Sequence, residues 1–175
     1  MMQVLEIQAC AVTDATHISE IAIEAYRDFY LYLWKDDGSW YINRSFSPKQ
    51  IKTEIKDPNA RYYALKVGGD TIGFLKLNLD QPLDGHEQLN AIELERIYLL
   101  KAFAGKGFGR QAMEFCFGLA REMRKDLIWL KSMDSSPAIH FYEQLGFDVC
   151  GTFRLDYEAM KPEFRGMKIL VKKLL

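Results

Sequence analysis

The sequence predicts an α/β protein built on a mixed, mostly antiparallel and twisted sheet of about six or seven strands with about four helices on its faces. Three observations support this prediction. Alternating apolar residues mark several strands, apolar residues at helical spacing mark the helices, and a glycine-rich turn joins a strand to a helix. Because no linker, repeat or low-complexity tract divides the 175 residues, we expect a single domain over residues 1–175.

The first half of the chain predicts the order β-α-α-β-β. The stretch 31–57 is rich in aromatic residues and is broken at Gly38 and Pro48, which is typical of a surface region that lines a binding cleft. The predicted elements are a strand from Val4 to Gln8, a helix capped by Thr13 or Asp14 with apolar positions from Ile18 to Phe29, a helix near Pro48 to Lys56, and two strands that flank the hairpin signal Gly68-Gly69-Asp70.

The second half predicts the order β-α-β-α-β-β. Apolar residues recur at spacings of three and four after the glycine-rich turn, so we predict an amphipathic helix there. The predicted elements are a strand from Ala91 to Leu100, the helix with Phe108, Ala112, Cys116, Leu119 and Met123 on one face, the strand LIWLKSM, the helix AIHFYEQL with Pro137 at its first position and Gly146 at its end, and strands from Phe147 to Arg154 and from Met167 to Lys172.

Composition excludes several classes of function. A net charge of −1 without a basic stripe argues against nucleic-acid binding, and no apolar run is long enough to span a membrane. The three cysteines are widely spaced, which predicts free thiols in a reducing compartment, and the first residues lack a secretory leader pattern. We therefore expect a cytoplasmic protein. The scattered cysteines and histidines show no metal-ligand spacing, so no metal is predicted.

The segment KAFAGKGFGRQ, residues 101–111, predicts an anion site. It joins a strand to a helix, and the first N–H groups of a helix have no partner within the helix. Glycine lets the backbone approach phosphate oxygens, and Lys106 and Arg110 add positive charge. The spacing fits neither the nucleoside-triphosphate loop nor the dinucleotide fingerprint. A phosphate-bearing ligand is expected, and a tight turn with no ligand remains the alternative.

Two motifs then identify a family resemblance. Residues 93–109, ELERIYLLKAFAGKGFG, resemble the acyl-CoA-binding motif of the GNAT superfamily of N-acyltransferases, and residues 138–147, AIHFYEQLGF, resemble its second signature. The order of predicted elements is also that of the family. The segment ERIYL and the aromatic N-terminal third look closest to those of bacterial polyamine-type acetyltransferases. The resemblance implies acetyl-CoA as co-substrate, bound where two central parallel strands splay apart.

The resemblance also implies roles for individual residues. Glu93 or Glu95 would take a proton from the amine, and Tyr142 would act as general acid toward the departing sulfur. The usual Gln or Arg that opens the glycine motif is Ala104 here, and a frequent Asn near the second helix is Ser135. The expected cofactor-binding residues are Ile97, Tyr98, Leu99, Ala104, Gly105, Lys106, Gly107, Phe108, Gly109, Arg110, Ser135 and Tyr142.

The predicted function is transfer of an acetyl group from acetyl-CoA to a primary amine of a small molecule, directly within a ternary complex. A polyamine-like acceptor is favoured because the resemblance points to it, while an amino acid, an antibiotic or a protein N-terminus remain open as acceptors. Acidic residues of the N-terminal third would suit a polycation, although acidic helix faces are usually only solvated: Glu20, Glu24, Asp28, Asp36 and Asp37. The alternative is a catalytically retired acyl-CoA sensor or interaction module. Assembly as a homodimer is left open.

Overall fold

A computed structural model describes residues 3–174 and contains one open sheet of seven strands. The strands are β1 (Glu6–Ala9), β2 (Ala60–Val67), β3 (Asp70–Asn78), β4 (Ala91–Leu99), β5 (Leu127–Met133), β6 (Asp148–Arg154) and β7 (Gly166–Lys173). They lie in the order β1-β2-β3-β4-β5-β7-β6. The strands β4 and β5 are parallel, whereas the other neighbours are antiparallel. The predicted mixed, mostly antiparallel sheet is therefore confirmed.

Five α-helices accompany the sheet: α1 (Ala15–Tyr30), α2 (Ser39–Phe46), α3 (Pro48–Lys56), α4 (Phe108–Glu122) and α5 (Ala138–Gln144). The bounds of α3 are those predicted, and α5 begins one residue after Pro137. The helix α2 was not predicted. Gly38, with φ of +79°, precedes it, and Ser47 follows it and accepts a hydrogen bond from the Gln50 N–H as the N-cap of α3.

Apolar side chains form one large core on each face of the sheet. On one face, α4 and α5 pack against residues such as Leu65 and Leu75. On the other face, α1, α2 and α3 pack against residues such as Tyr62 and Phe74. Strands buried on both faces need apolar residues at successive positions, which explains the continuous apolar runs in β3 and β5. None of the helices among residues 3–174 is both long and apolar enough to cross a bilayer.

Candidate active site

The two parallel strands separate soon after they pair. Their pairing covers only three positions, from Ala91 opposite Leu127 to Glu93 opposite Trp129. Beyond this point β4 pairs only with β3, and β5 pairs only with β7. Backbone groups that face the gap therefore have no strand partner and are available to an extended, amide-bearing ligand.

A β-bulge at Glu95 accompanies the separation. Lys76 of β3 lies opposite Arg96, whereas the next residue, Leu77, lies opposite Leu94, so Glu95 is the extra residue of β4. A bulge bends its strand and increases the local twist, which turns the end of β4 away from β5. The bulge also places Arg96 on the same side as Glu93, which a regular alternation would not do.

The separated strands open into a cavity of about 720 Å³. The strand residues Glu93, Ile97 and Tyr98 line it, as does Tyr142 of α5. Its remaining walls come from α1, α2, α3 and the segment 153–160. The cavity thus brings together residues 93–98 of the first motif, Tyr142 of the second motif and the aromatic N-terminal third, whereas residues 99–110, with the glycine-rich turn, do not line it.

Glu93 is a buried carboxylate without an ion pair among residues 3–174. It is 9% exposed, and its Oε2 accepts a hydrogen bond of 2.8 Å from the Asn78 side-chain amide. Burial raises its pKa, and the nearby charge of Glu95 raises it further, while Asn78 and the cations Lys131 and Lys76 act in the opposite direction. A carboxylate whose pKa is shifted toward neutrality is better matched to the task of a general base.

Glu95 has different surroundings. Its Oε2 lies 2.6 Å from the Nζ of Lys76, and that Nζ lies 2.7 Å from Oε1 of Glu54. Glu54 also lies 3.2 Å from the guanidinium of Arg96 and accepts a hydrogen bond from the hydroxyl of Tyr62. Burial would raise the pKa of Glu54, but Arg96 and the hydrogen bonds outweigh this effect and hold that pKa below its usual value. Glu95 is thus a member of a closed ion network.

Tyr142 lies on α5 with its ring packed edge-on against Phe147, at a centroid distance of 5.8 Å. The residue is 8% exposed and lines the cavity. Burial raises the pKa of its phenol, and Tyr30 and Cys116 raise it further. The hydroxyl therefore keeps its proton at neutral pH and is suited to donating a hydrogen bond.

The glycine-rich turn has a backbone that only glycine adopts readily. Gly105 and Gly107 have φ values of +72° and +86°, and a Cβ atom built on either would meet nothing within 4 Å. Open space therefore faces the turn and the N-terminus of α4. Ala104 is extended, and its N–H donates to the carbonyl of Lys101. Lys106 and Arg110 are exposed beside the turn.

Other predicted cofactor residues occupy different kinds of position. Phe108 is buried in the core, and Gly109 lies within α4, where a Cβ would contact the ring of Phe141 at 3.4 Å. Leu99 packs against the core beneath α4. Ser135 is exposed, and its hydroxyl lies 2.8 Å from that of Tyr32. The side chains of Phe108 and Leu99 therefore have packing roles, and only their backbone groups remain candidates for binding.

The acidic residues of the N-terminal third lie outside the cavity. All five are exposed, and none of them lines the cavity: Glu20, Glu24, Asp28, Asp36 and Asp37. These residues therefore give no support to a polycationic acceptor, and their exposure matches the alternative of solvated surface charges. One wall of the cavity contains Trp34, Tyr41 and Arg44, which belong to the aromatic-rich stretch 31–57 that was expected to line a cleft. The same wall contains Tyr157, which sequence reasoning did not single out. Within residues 3–174, no cluster of three or more potential metal ligands is present.

Comparison with known proteins decides the family. The acetyltransferase (GNAT) family model matches residues 19–147. The chain belongs to the GNAT family. The separated strands, the glycine-rich turn and the helix α5 all lie within or directly beside the matched range.

Several curated relatives are similar to this GNAT chain. An uncharacterized N-acetyltransferase in the pepI 3' region of Lactobacillus delbrueckii subsp. lactis is 33% identical over 112 residues, which cover 63% of this chain and 65% of the relative. Streptothricin acetyltransferase of Streptomyces lavendulae is 30% identical over 133 residues, covering 75% of this chain and 64% of the relative. The chain therefore spans just under two thirds of the length of these two relatives. Spermine/spermidine N(1)-acetyltransferase of Bacillus subtilis (strain 168) is 26% identical over 132 residues, covering 72% and 81%.

A solved GNAT structure shares the fold over nearly its whole length. The PaiA N-acetyltransferase of Thermoplasma acidophilum, crystallised in complex with coenzyme A, superposes with a TM-score of 0.76 at 19% identity. The match covers 97% of this chain and 99% of that one. At this identity the likeness establishes the fold.

Proposed function

We propose that the protein is an acetyl-CoA-dependent N-acetyltransferase that moves an acetyl group to the primary amine of a small molecule, directly within a ternary complex. The observation that carries this proposal is that Glu93 and Tyr142 line one cavity at the point where β4 and β5 separate. A base and a hydrogen-bond donor that line one cleft are what direct acyl transfer from a thioester requires.

The residues of the turn fit a coenzyme with phosphates. The backbone of Gly105 and Gly107 faces open space, the N–H groups of the first turn of α4 lack helical partners, and Lys106 and Arg110 add positive charge. The absence of a polar side chain at Ala104 removes one donor and leaves the backbone donors in place. Acetyl-CoA supplies the activated acetyl group when bound.

Residues 97–99 would bind the extended arm of the coenzyme. On the side that faces β5, the backbone groups of this segment have no strand partner. We assign them to hydrogen bonds with the amides of the arm, and we assign an N–H near Leu99 to polarisation of the thioester carbonyl. The hydroxyl of Ser135 is exposed beside α5 and remains a predicted contact.

Glu93 would take the proton of the acceptor amine. An alkylamine has a pKa of about 10, so most of it is protonated at neutral pH and a base must remove a proton before attack. Glu93 is available because, among residues 3–174, its side chain hydrogen-bonds only with Asn78, whereas Glu95 is held by Lys76. Tyr142 would hold its proton at Oη and donate a hydrogen bond to the sulfur as negative charge develops there.

The proposed acceptor is a primary amine of a small molecule. The named relatives include one for streptothricin and one for spermine and spermidine, so their names do not agree on an acceptor. The preference for a polyamine, which came from the family resemblance, stays a prediction.

Two measurements on the purified protein test the proposal. Acetyl-CoA at a hundredfold excess over its dissociation constant should stabilise the folded protein by about 2.7 kcal/mol, read as a rise in melting temperature. Release of free thiol from acetyl-CoA should then depend on an added amine. Binding of acetyl-CoA without amine-dependent thiol release, across a broad panel of amines, would instead establish the acyl-CoA-binding module that was the alternative.

A further inference from the structure

Arg44 of α2 lies at the cavity wall with its guanidinium against two aromatic rings, whose centres are 5.0 Å apart. Its Cζ is 5.2 Å from the ring centre of Trp40 and 5.0 Å from that of Tyr157. Cation–π contacts of this kind hold a guanidinium in place without neutralising its charge. Within residues 3–174, no carboxylate forms an ion pair with Arg44. It is thus an oriented and exposed cation that lines the cavity.

The wall around Arg44 is firmly built. The segment that carries Tyr157 is attached to the turn before α2 by an antiparallel bridge between Trp34 and Met160. Two backbone hydrogen bonds form this bridge, from Lys35 N–H to the Ala159 carbonyl and from Lys161 N–H to the Leu33 carbonyl. The ring of Tyr41 stacks on Trp34 at 4.9 Å. The two rings that contact Arg44 also contact each other, at a centroid distance of 5.0 Å between Trp40 and Tyr157.

The charges that line the cavity do not suit a polycation. The carboxylates are Glu54, Glu93, Glu95 and Asp156, and the cations are Arg44, Arg96, Lys131 and Arg154. Two of these carboxylates, Glu54 and Glu95, are engaged with Arg96 and with Lys76. Outside that network, the cavity is lined by two carboxylates and three cations. They are Glu93 and Asp156, and Arg44, Lys131 and Arg154. In addition, the rings of Trp40 and Tyr157, which could otherwise attract an ammonium group, are already occupied by Arg44.

We propose that the acceptor is an amine that also carries a carboxylate, that Arg44 binds this carboxylate, and that the amine is directed toward Glu93. A guanidinium presents paired N–H groups that match the two oxygens of a carboxylate. The aromatic wall formed by Trp34, Tyr41 and Tyr157 provides an apolar surface for the part of the acceptor between its two charged ends. This inference rests on the proposed function, because it names the acceptor of the same site.

The test uses two series of acceptors that differ only in the anionic group. The first series is phenylalanine, phenylalaninamide and phenethylamine, and the second is lysine, lysinamide and cadaverine. In each series the amine next to an amide group is less basic than the amine next to a carboxylate. A trend that depended on amine basicity alone would therefore not place the acid above both other members. We expect kcat/KM for the acid to exceed that of the other two members by about ten- to a hundredfold in at least one series.

Two substitutions assign the preference to Arg44. Arg44→Gln should remove the advantage of the acid mainly through KM, and Arg44→Lys should restore part of it, because an ammonium keeps the charge and loses the paired geometry. Arg27→Gln is the matched control, since Arg27 is an exposed arginine on α1 that does not line the cavity. It should keep the wild-type preference.

The outcomes separate this inference from the proposed function. Acetylation of amines with equal or reversed preference in both series, or a preference that survives Arg44→Gln, overturns the carboxylate assignment and leaves the acetyltransferase intact. Absence of turnover for every amine counts against the proposed function. In that case the carboxylate assignment is tested by calorimetry, which measures how tightly N-acetylphenylalanine and N-acetylphenethylamine bind to the coenzyme A complex. Tighter binding of the acid that is lost in Arg44→Gln supports it, and equal binding overturns it.

Discussion

Two regions of the cavity contain carboxylates of β4 in opposite electrostatic surroundings. At the junction with β5, Glu93 is buried against an amide and has no ion pair among the described residues. Two residues further along β4, at the bulge, Glu95 forms an ion pair with Lys76, which also forms an ion pair with Glu54. Burial without a counterion raises the pKa of Glu93, whereas Arg96 and the hydrogen bonds lower the pKa of Glu54, and the more exposed Glu95 shares Lys76 with Glu54. The first region is suited to proton transfer and the second to holding the wall in place.

The largest expected effect is the loss of turnover in the Glu93→Gln variant. We expect kcat to fall by about a hundredfold or more, because general base catalysis contributes about 10²- to 10⁴-fold. Because the pKa of Glu93 is raised, the acidic limb of kcat/KM should lie above the ordinary carboxylate range and should disappear in this variant. Rates measured from acid to neutral pH with saturating acetyl-CoA check this.

Glu95→Gln is the matched control for Glu93→Gln, since it removes a carboxylate two residues away on the same strand. It should retain the acidic limb and lose much less turnover. Equal losses in the two variants would show that the ion network contributes to proton transfer, and unchanged rates in both would assign the proton to water or to the acceptor itself.

The next effect concerns Tyr142→Phe, which removes the hydroxyl and keeps the ring. We expect turnover to fall by about ten- to a thousandfold, because a hydrogen bond to developing charge is lost. The KM for acetyl-CoA and the melting temperature should change little, because the ring still packs against Phe147. Wild-type turnover under conditions where chemistry limits the rate would make Tyr142 a core residue only.

The ion network should affect stability more than catalysis. Lys76→Met leaves Glu54 and Glu95 without their shared cation, and we expect a loss of about 3 kcal/mol in the free energy of unfolding. Lys52→Met on α3 is the control, since Lys52 is exposed and forms no ion pair within residues 3–174; it should change stability by less than about 0.5 kcal/mol. Urea unfolding of the two variants gives the comparison.

The same network predicts a dependence of stability on pH. The pKa of Glu54 is lower in the folded protein, so its contribution is present above its unfolded pKa and is lost as pH falls through the folded pKa. Glu54→Gln should therefore lower stability at neutral pH and flatten the acid side of the stability curve. A curve that keeps its wild-type slope would show that Glu54 gains nothing from Arg96 and Lys76.

The two regions also differ in how far the sequence alone could predict them. The junction was predicted through the family resemblance, which two local motifs carry: a glycine-rich turn after a strand, and a short segment that contains Tyr142. The network was not predicted, because Lys76 and Arg96 are 22 and 42 positions from Glu54 and meet it only in the folded sheet. The bulge at Glu95 was also hidden, since ELERIYL reads as a regular strand. The helix α2 was missed because a helix of eight residues is too short for its apolar periodicity to be recognised in the sequence.

The smallest expected effect sharpens the assignment of the glycine-rich turn. Gly107→Ala introduces a Cβ at φ of +86°, which costs about 1–2 kcal/mol of strain although the space around it is open. Gly118→Ala is the control, because Gly118 lies within α4, has open space beside it and has no positive φ. It should be neutral or stabilise the helix by up to about 1 kcal/mol. If the turn binds phosphate through its backbone N–H groups, Gly107→Ala should also weaken coenzyme A binding severalfold in calorimetry, whereas Gly118→Ala should leave it unchanged. Equal coenzyme A affinity in the two folded variants would mean that Gly107 is only a helix-capping turn and that the phosphates bind elsewhere.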